Sequence, residues 1–330
     1  MKRDPVREGL EALAAAARRP HTDESVALIR ASLGHRSNLV VARAARAARE
    51  AGLSSLTPDL IAAFPRWLED PIKRDPGCGA KTEIVRALLA FEYPAPGVYL
   101  AGVAHVQREP AFGPPIDTAA ELRAASAMAL VVTEHPAGLA SAVDLLVDPE
   151  RAARAGGLRA LMASGRPDVA LLMRLFALRG DPDPGVIAEA FAGLLALATD
   201  DPVSFVAARM AAADVDVARG AAMALGDARR SEAVAALRDH LAREPRPDVR
   251  HAVIVALATS RDEEAVRALL ELVTRGPAFD STAAANALGL YEHDGELQRR
   301  VQAALAARVE PTPAAPLRSR RRQGADGRRR

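Results

Sequence analysis

The chain has 330 residues, of which 49% are hydrophobic and only 3% aromatic, and its formal net charge is +2. This length and apolar content can bury a large core, and the lack of long β-branched and aromatic runs excludes an extended sheet, leaving a helical core of alanine and leucine. The charge is unevenly placed: seven arginines against Glu310 and Asp326 make 309–330 net +5, so residues 1–308 are net −3, which argues against a nucleic-acid groove in the body.

Taken in order, the first predicted helix covers 4–18, with Asp4 as cap, Pro5 at the first helical position, and Leu10 and Leu13 facing inward. A second opens at Thr22 or Asp23 and carries Val26 and Ile29. A third, alanine-rich, runs from Asn38 to Ala51 and stops at Gly52. Thr57-Pro58-Asp59 starts a fourth, in which Leu60, Ile61, Phe64 and Trp67 keep helical spacing and Pro65 implies a kink. Residues 70–118 break the regularity and read as an irregular insertion containing one helix from Lys81 to Phe91 and a shorter one from Val98 to Val106.

From 117 to 308 a two-helix unit recurs. Val217, Ala221, Ala224 and Leu225 stand at i, i+4, i+7 and i+8 of a helix, forming one apolar stripe with small residues in its middle. Leu122, Ala153, Val186, Val249 and Asp280 open five further copies of this frame. The closing leucines are Leu130, Leu161, Leu194, Leu225, Leu257 and Leu288, in steps of 31, 33, 31, 32 and 31 residues. Such a period is the mark of a helical solenoid. Each small-residue helix is followed by a partner with larger residues, among them Leu172, Leu175 and Phe176, Val234, Leu237 and Leu241, and Leu297, Val301 and Leu305. Asp280, in place of an apolar residue, suits a terminal unit facing water. Asp148-Pro149, Asp181-Pro182-Asp183-Pro184 and Arg246-Pro247-Asp248 supply the turns and caps. The expected class is therefore an all-α solenoid spanning 1–308. Pro311, Pro313 and Pro316 lead into a tail, 309–330, that is expected to be disordered.

The repeats resemble the HEAT family, in particular the bacterial HEAT-like repeats also found in phycobilin lyases. Asp248-Val249-Arg250 with Ala256-Leu257, and Val217-Ala218-Arg219 with Ala224-Leu225-Gly226, carry the resemblance. It covers 117–308 well and 22–110 loosely. It implies a right-handed superhelix of armadillo-like type whose usual role is to bind another protein along a curved face. The stretches Asp75 to Lys81, His105 to Pro110 and Asp117-Thr118 are similar to segments of bacterial HEAT-repeat proteins and imply no activity.

Gly77-Cys78-Gly79-Ala80-Lys81-Thr82 has the look of a phosphate-binding loop, but the motif needs glycine at the positions of Asp75 and Ala80, and no strand precedes it. A turn before the helix is expected instead, with Lys81 solvated in its first turn. The densest set of reactive side chains is Asp75, Cys78, Lys81, His105, Gln107, Glu109 and Asp117, lying where the repeat rule is suspended. They form the candidate binding site. A network tying the insertion to the solenoid would use the same residues, with Asp117 as a helix cap and His105 donating to a backbone carbonyl. Arg123, Arg154 and Arg250 each fall seven residues before a closing leucine and would align as a surface column able to receive acidic side chains of a partner.

The remaining histidines show no metal-ligand spacing, and the sole cysteine, Cys78, excludes an internal disulfide, so no metal and no cofactor are expected. Only Lys2, Lys73 and Lys81 among the basic residues are lysine, a bias that reads as codon usage. The basic N-terminus lacks the apolar run of about 7–15 residues of a secretory leader, and no stretch reaches the roughly 18 apolar residues of a membrane span, so a cytoplasmic protein is expected. The predicted function is a non-catalytic scaffold with a protein partner, and 318–330 could add non-specific attraction to nucleic acid or an anionic surface. The alternative is an enzyme on the same scaffold, a bilin lyase-like protein or a DNA glycosylase; the acidic body and the lone Trp67 weigh against the latter.

Overall fold

The computed structural model describes residues 4–198 and 200–308. The arginine-rich stretch 309–330 expected as a tail lies outside them. The helices are α1 (Pro5–Ala16), α2 (Asp23–Leu33), α3 (Asn38–Glu50), α4 (Thr57–Ala63), α5 (Pro71–Arg74), α6 (Gly79–Ala90) and α7 (Pro96–Val103). A hairpin follows, β1 (Arg108–Ala111) and β2 (Gly113–Asp117). Beyond it come α8 (Ala120–Val132), α9 (Gly138–Asp144), α10 (Arg151–Ala163), α11 (Ala170–Arg179), α12 (Pro184–Leu197) and α13 (Pro202–Ala207). The chain continues through α14 (Val215–Asp227), α15 (Ser231–Leu241), α16 (Pro247–Thr259), α17 (Glu263–Arg275), α18 (Ala278–Leu288) and α19 (Gly295–Ala306).

The helices form a two-layered all-α solenoid. In one layer α3, α6, α8, α10, α12, α14, α16 and α18 pack each on the next; the other is built from partner helices such as α13, α15, α17 and α19. The first layer is the small-residue set. Leu130, Leu161, Leu194, Leu225, Leu257 and Leu288 are all buried in it. Small residues allow the close approach: a Cβ added to Gly156 would overlap Ala124 on α8, and one on Gly226 would overlap the Ala256 carbonyl on α16. The apolar interior divides at α8, where Leu122, Ala129 and Leu130 join the N-terminal cluster and Ala120 and Ala127 the C-terminal one.

Local signals explain the helix ends. Asp4 accepts from the Val6 amide, Thr22 from Ser25, Asp183 from Gly185 and Val186, and Asp262 from Glu264 and Ala265, each satisfying amides that the helix leaves free. Pro65 ends α4 at Ala63 and the chain goes on as a tight turn through Trp67.

Several expectations are corrected. The stretch 70–118 is more regular than an insertion, because α6 takes a full place in the small-residue layer between α3 and α8. The short helix expected at Val98 to Val106 runs from Pro96 to Val103, and the residues that follow it form an antiparallel hairpin pairing Arg108 with Asp117 and Glu109 with Ile116. Asp280 is buried and paired with Arg250 rather than facing water. Leu175 and Leu305 point outward. In α11 the inward face is already filled by Met173, Phe176 and Ala177, so no room remains for Leu175.

Candidate functional site

The polar cluster grows from the turn before α6. Gly77 and Cys78 both adopt left-handed backbone conformations, with φ of 75° and 57°. The turn folds Asp75 back over the start of α6, where its Oδ1 accepts from the Ala80 amide at 2.9 Å and its Oδ2 from the Lys81 amide at 3.1 Å. Asp75 is thus the cap of α6, reaching it across the turn. Lys81 is fully buried, contrary to the solvated position expected: its Nζ lies 3.0 Å from Asp75 Oδ2 and donates to the Trp67 carbonyl at 3.1 Å. An ammonium can be held dry here because a carboxylate and a carbonyl replace its water.

The base of the hairpin closes over this pair. The Gln107 side-chain amide donates to the Asp75 carbonyl at 2.8 Å and to Glu109 Oε1 at 2.6 Å. Glu109 Oε1 also accepts from the Gly77 amide and from Thr118 Oγ1, both at 2.7 Å. Burial pushes the Glu109 carboxyl up, but the bonds from Thr118, Gln107 and Gly77 outweigh it and hold the group below the usual range. A phosphate would need the amides of Gly77, Ala80 and Lys81; two carboxylates of the chain already occupy them.

Asp117 begins the next rung. Its Oδ1 accepts from the amides of Gln107 and Ala119, both at 3.0 Å, and its Oδ2 lies 2.8 Å from Arg123 Nη1. Its carboxyl is raised by burial yet ends below the ordinary range through those amides and Arg123. The same guanidinium takes Asp148 of the next repeat in a two-pronged pair, Nε to Oδ2 at 2.8 Å and Nη2 to Oδ1 at 3.0 Å. Arg154 repeats the pattern one unit on. It donates to the Asp148 carbonyl at 3.0 Å and grips Asp181 at 2.7 and 2.8 Å. Arg250 donates to the Glu244 carbonyl at 2.7 Å and pairs with Asp280.

The surface column expected of Arg123, Arg154 and Arg250 is therefore an internal ladder, each rung tying one repeat to the next. Arg123 and Arg154 are buried, and their charges are answered by aspartates of this chain. Asp75, Lys81, Gln107, Glu109, Asp117 and Arg123 form one bonded network, and Arg154 joins through the Asp148 backbone. Arg250 stands apart. His105 bonds Gln107 Oε1, not a backbone carbonyl, at 3.2 Å, and burial lowers its pKa. Cys78 is buried, its thiol pushed up to about 12, so it is a poor nucleophile.

Sequence reading missed Asn38, whose Nδ2 donates to Asp75 Oδ1 at 3.1 Å, and the acceptors Asp148 and Asp181. A spacing signal exists: Asp75 and Lys81, Asp117 and Arg123, Asp148 and Arg154, and Glu244 and Arg250 are each six residues apart. It also missed Glu83, buried between α3 and α6 and held by Arg46 at 3.1 Å and Arg86 at 3.0 Å.

A different surface is open. Pro184, Gly185, Ala188, Gly220, Ala252 and Val255 form the floor of a groove of about 480 Å³ across α12, α14 and α16, with Asp216, Arg219, Met223 and His251 around it. The ring of Phe279, half-exposed on α18, meets His251 edge-on at 6.4 Å and extends that surface.

Residues 203–289 match the family model for HEAT repeats. The chain is similar to human deoxyhypusine hydroxylase in complex with glycerol, at 17% identity over 88% of this chain and 92% of that one, with a TM-score of 0.30. It is also similar to the complex of CpcE and CpcF of phycocyanin lyase from Nostoc sp., at 17% identity over 86% and 94%, with a TM-score of 0.36. No curated protein matches the chain. Among the described residues no group of three or more His, Cys, Asp or Glu could hold a metal ion, and no helix is long and apolar enough to cross a membrane.

Proposed function

We propose that this chain is a protein-binding scaffold: the buried ladder sets the spacing of the repeats, and the partner lies in the groove across α12, α14 and α16. The observation that carries this reading is the contrast between the two polar systems. The donors and acceptors of the cluster from Asp75 to Asp181 are bonded to one another, which suits a frame. The groove offers a floor of small residues with Arg219, Asp216 and His251 beside it, a surface to which a partner's backbone can come close and find charges at the rim.

The reading is tested by placing a photo-crosslinking amino acid at Arg219 and, as a control, at Arg299, which is exposed on α19. Position 219 should yield discrete, reproducible adducts with one protein species in the native cell, and position 299 none. Absence of adducts at 219 from a correctly folded chain, or equal adducts at both positions, overturns it.

A further inference from the structure

α11 departs from the other second-layer helices. Its inward face, Met173, Phe176 and Ala177, is buried in the core, yet its outward face is also apolar: Leu171, Leu175 and Leu178 are 73, 63 and 60% exposed. These three leucines stand at i, i+4 and i+7, one above another on the helix. On α17 the corresponding outward positions are held by Glu264, Arg267, Glu271 and Arg275, all charged. A helix that is apolar on every side is ordinarily covered on every side.

The flanking charges leave the stripe bare. Arg174, which stands on the same face between Leu171 and Leu178, reaches towards α13, where its guanidinium lies 4.2 Å from the centroid of the Phe205 ring; Arg209 lies against the same ring at 4.5 Å. At the ends of the stripe, Asp168 precedes Leu171 and Arg179 follows Leu178. Arg179 is exposed and forms no ion pair among the described residues. Asp168 is exposed, held by Arg166 in a two-pronged pair at 3.0 and 2.5 Å, and bonded also by the backbone amides of Asp168 and Val169.

We propose that the outward face of α11 is the docking surface for a second copy of this chain, packed antiparallel, α11 against α11. In that arrangement Leu171 meets Leu178 of the other copy, the Leu175 side chains meet near the two-fold axis, and each Arg179 comes to an Asp168. A parallel pair would set the two Arg179 side chains together, whereas an antiparallel one brings each to the carboxylate end of the Arg166–Asp168 pair, so the charge pattern favours the antiparallel arrangement. The area also suits a second copy: on the order of 300 Å² of apolar surface per copy supplies the centre of an interface of about 800 Å² per partner, the rest being polar rim.

The test is sedimentation velocity of the full chain at micromolar concentrations, followed by oxidative crosslinking. The wild type should sediment with twice the chain mass and Leu175→Glu with the single mass. The thermal midpoint of the Leu175→Glu monomer should match that of wild type diluted until monomeric, since Leu175 lies outside the core. Cys78 is buried, so an introduced cysteine is the only accessible thiol. Leu175→Cys should crosslink to itself, and Leu171→Cys should crosslink to Leu178→Cys in a mixture but not to itself. A wild type that stays single, a double mass that survives Leu175→Glu, or efficient self-crosslinking of Leu171→Cys would each overturn the proposal.

Discussion

Adjacent repeats are joined differently in two parts of the solenoid. From α8 to α12 the small-residue helices are linked by buried ion pairs, Arg123 with Asp148 and Arg154 with Asp181, while Lys81 with Asp75 and Arg123 with Asp117 close the turn before their own helices. From α12 to α16 the equivalent ladder positions are Ile187 and Ala218, both buried and apolar. In that second part, polar links run between the two layers: Arg230, just before α15, donates to the Leu195 carbonyl of α12 at 2.7 Å, and Arg246, just before α16, to the Met210 carbonyl after α13 at 2.9 Å. The stack continues through both parts, so ion pairs are not needed for helices to pile up. What they add is a fixed partner for each repeat: a slip of one turn leaves an apolar contact nearly as good but strands a buried charge.

The largest effect should come from breaking a rung. Arg123→Ala leaves Asp117 and Asp148 buried without their cation, at an expected cost of about 3–5 kcal/mol in urea unfolding. In the apolar part, trimming one methylene at the equivalent position, Ile187→Val, leaves no charge stranded and should cost only about 0.5–1.5 kcal/mol. Equal losses at the two sites would erase the distinction between the parts.

Acid should separate them next. Asp117 and Asp181 have folded pKa values below their unfolded ones. Their stabilisation is therefore complete above the ordinary carboxylate pKa and is lost as pH falls through the depressed values, by about 1.4 kcal/mol for each unit of depression. His105 acts in the same direction, since burial lowers its pKa and its charged form is disfavoured in the fold; its contribution begins to fall below about 6.5. Glu244 is drawn down to about 2 in the fold, mainly by the Arg246 hydrogen bond. Hydrogen exchange measured from pH 7 towards pH 3 should show α8 and α10 losing protection before α14; uniform loss would contradict the ladder. The smallest effect is expected at the exposed pair Arg7 and Glu11, where Arg7→Ala should leave the urea midpoint unchanged within measurement error.

Much of the fold was legible because it repeats. The frame ending in Leu225 located six helices of the small-residue layer, and caps such as Asp4, Thr22 and Asp183 marked helix starts. Two copies escaped: Ala80, Ile84, Ala87 and Leu88 on α6, and Val40, Ala44, Ala47 and Ala48 on α3, each in the same frame. Their closing residues stand 40 and 42 apart, counting to Leu130, so the longer connections hide the period. The hairpin escaped because Pro110, Pro114 and Pro115 interrupt any strand pattern.

At the candidate site the residues were legible but their use was not. Arg123 meets Asp148 and Arg154 meets Asp181 across separations of 25 and 27 residues. No spacing rule for a single helix reaches that far. Lys81 at the first turn of a helix reads as solvated until its carboxylate is known to come from behind the turn.

The most direct measurement is a double-mutant cycle between Arg123 and Asp148, using Arg123→Met, Asp148→Asn and both together in urea unfolding. An inter-repeat rung predicts a coupling energy of at least about 1 kcal/mol, with the second change costing much less once the first is made. Changes that add to within about 0.3–0.5 kcal/mol would mean that the two repeats do not hold each other through this pair.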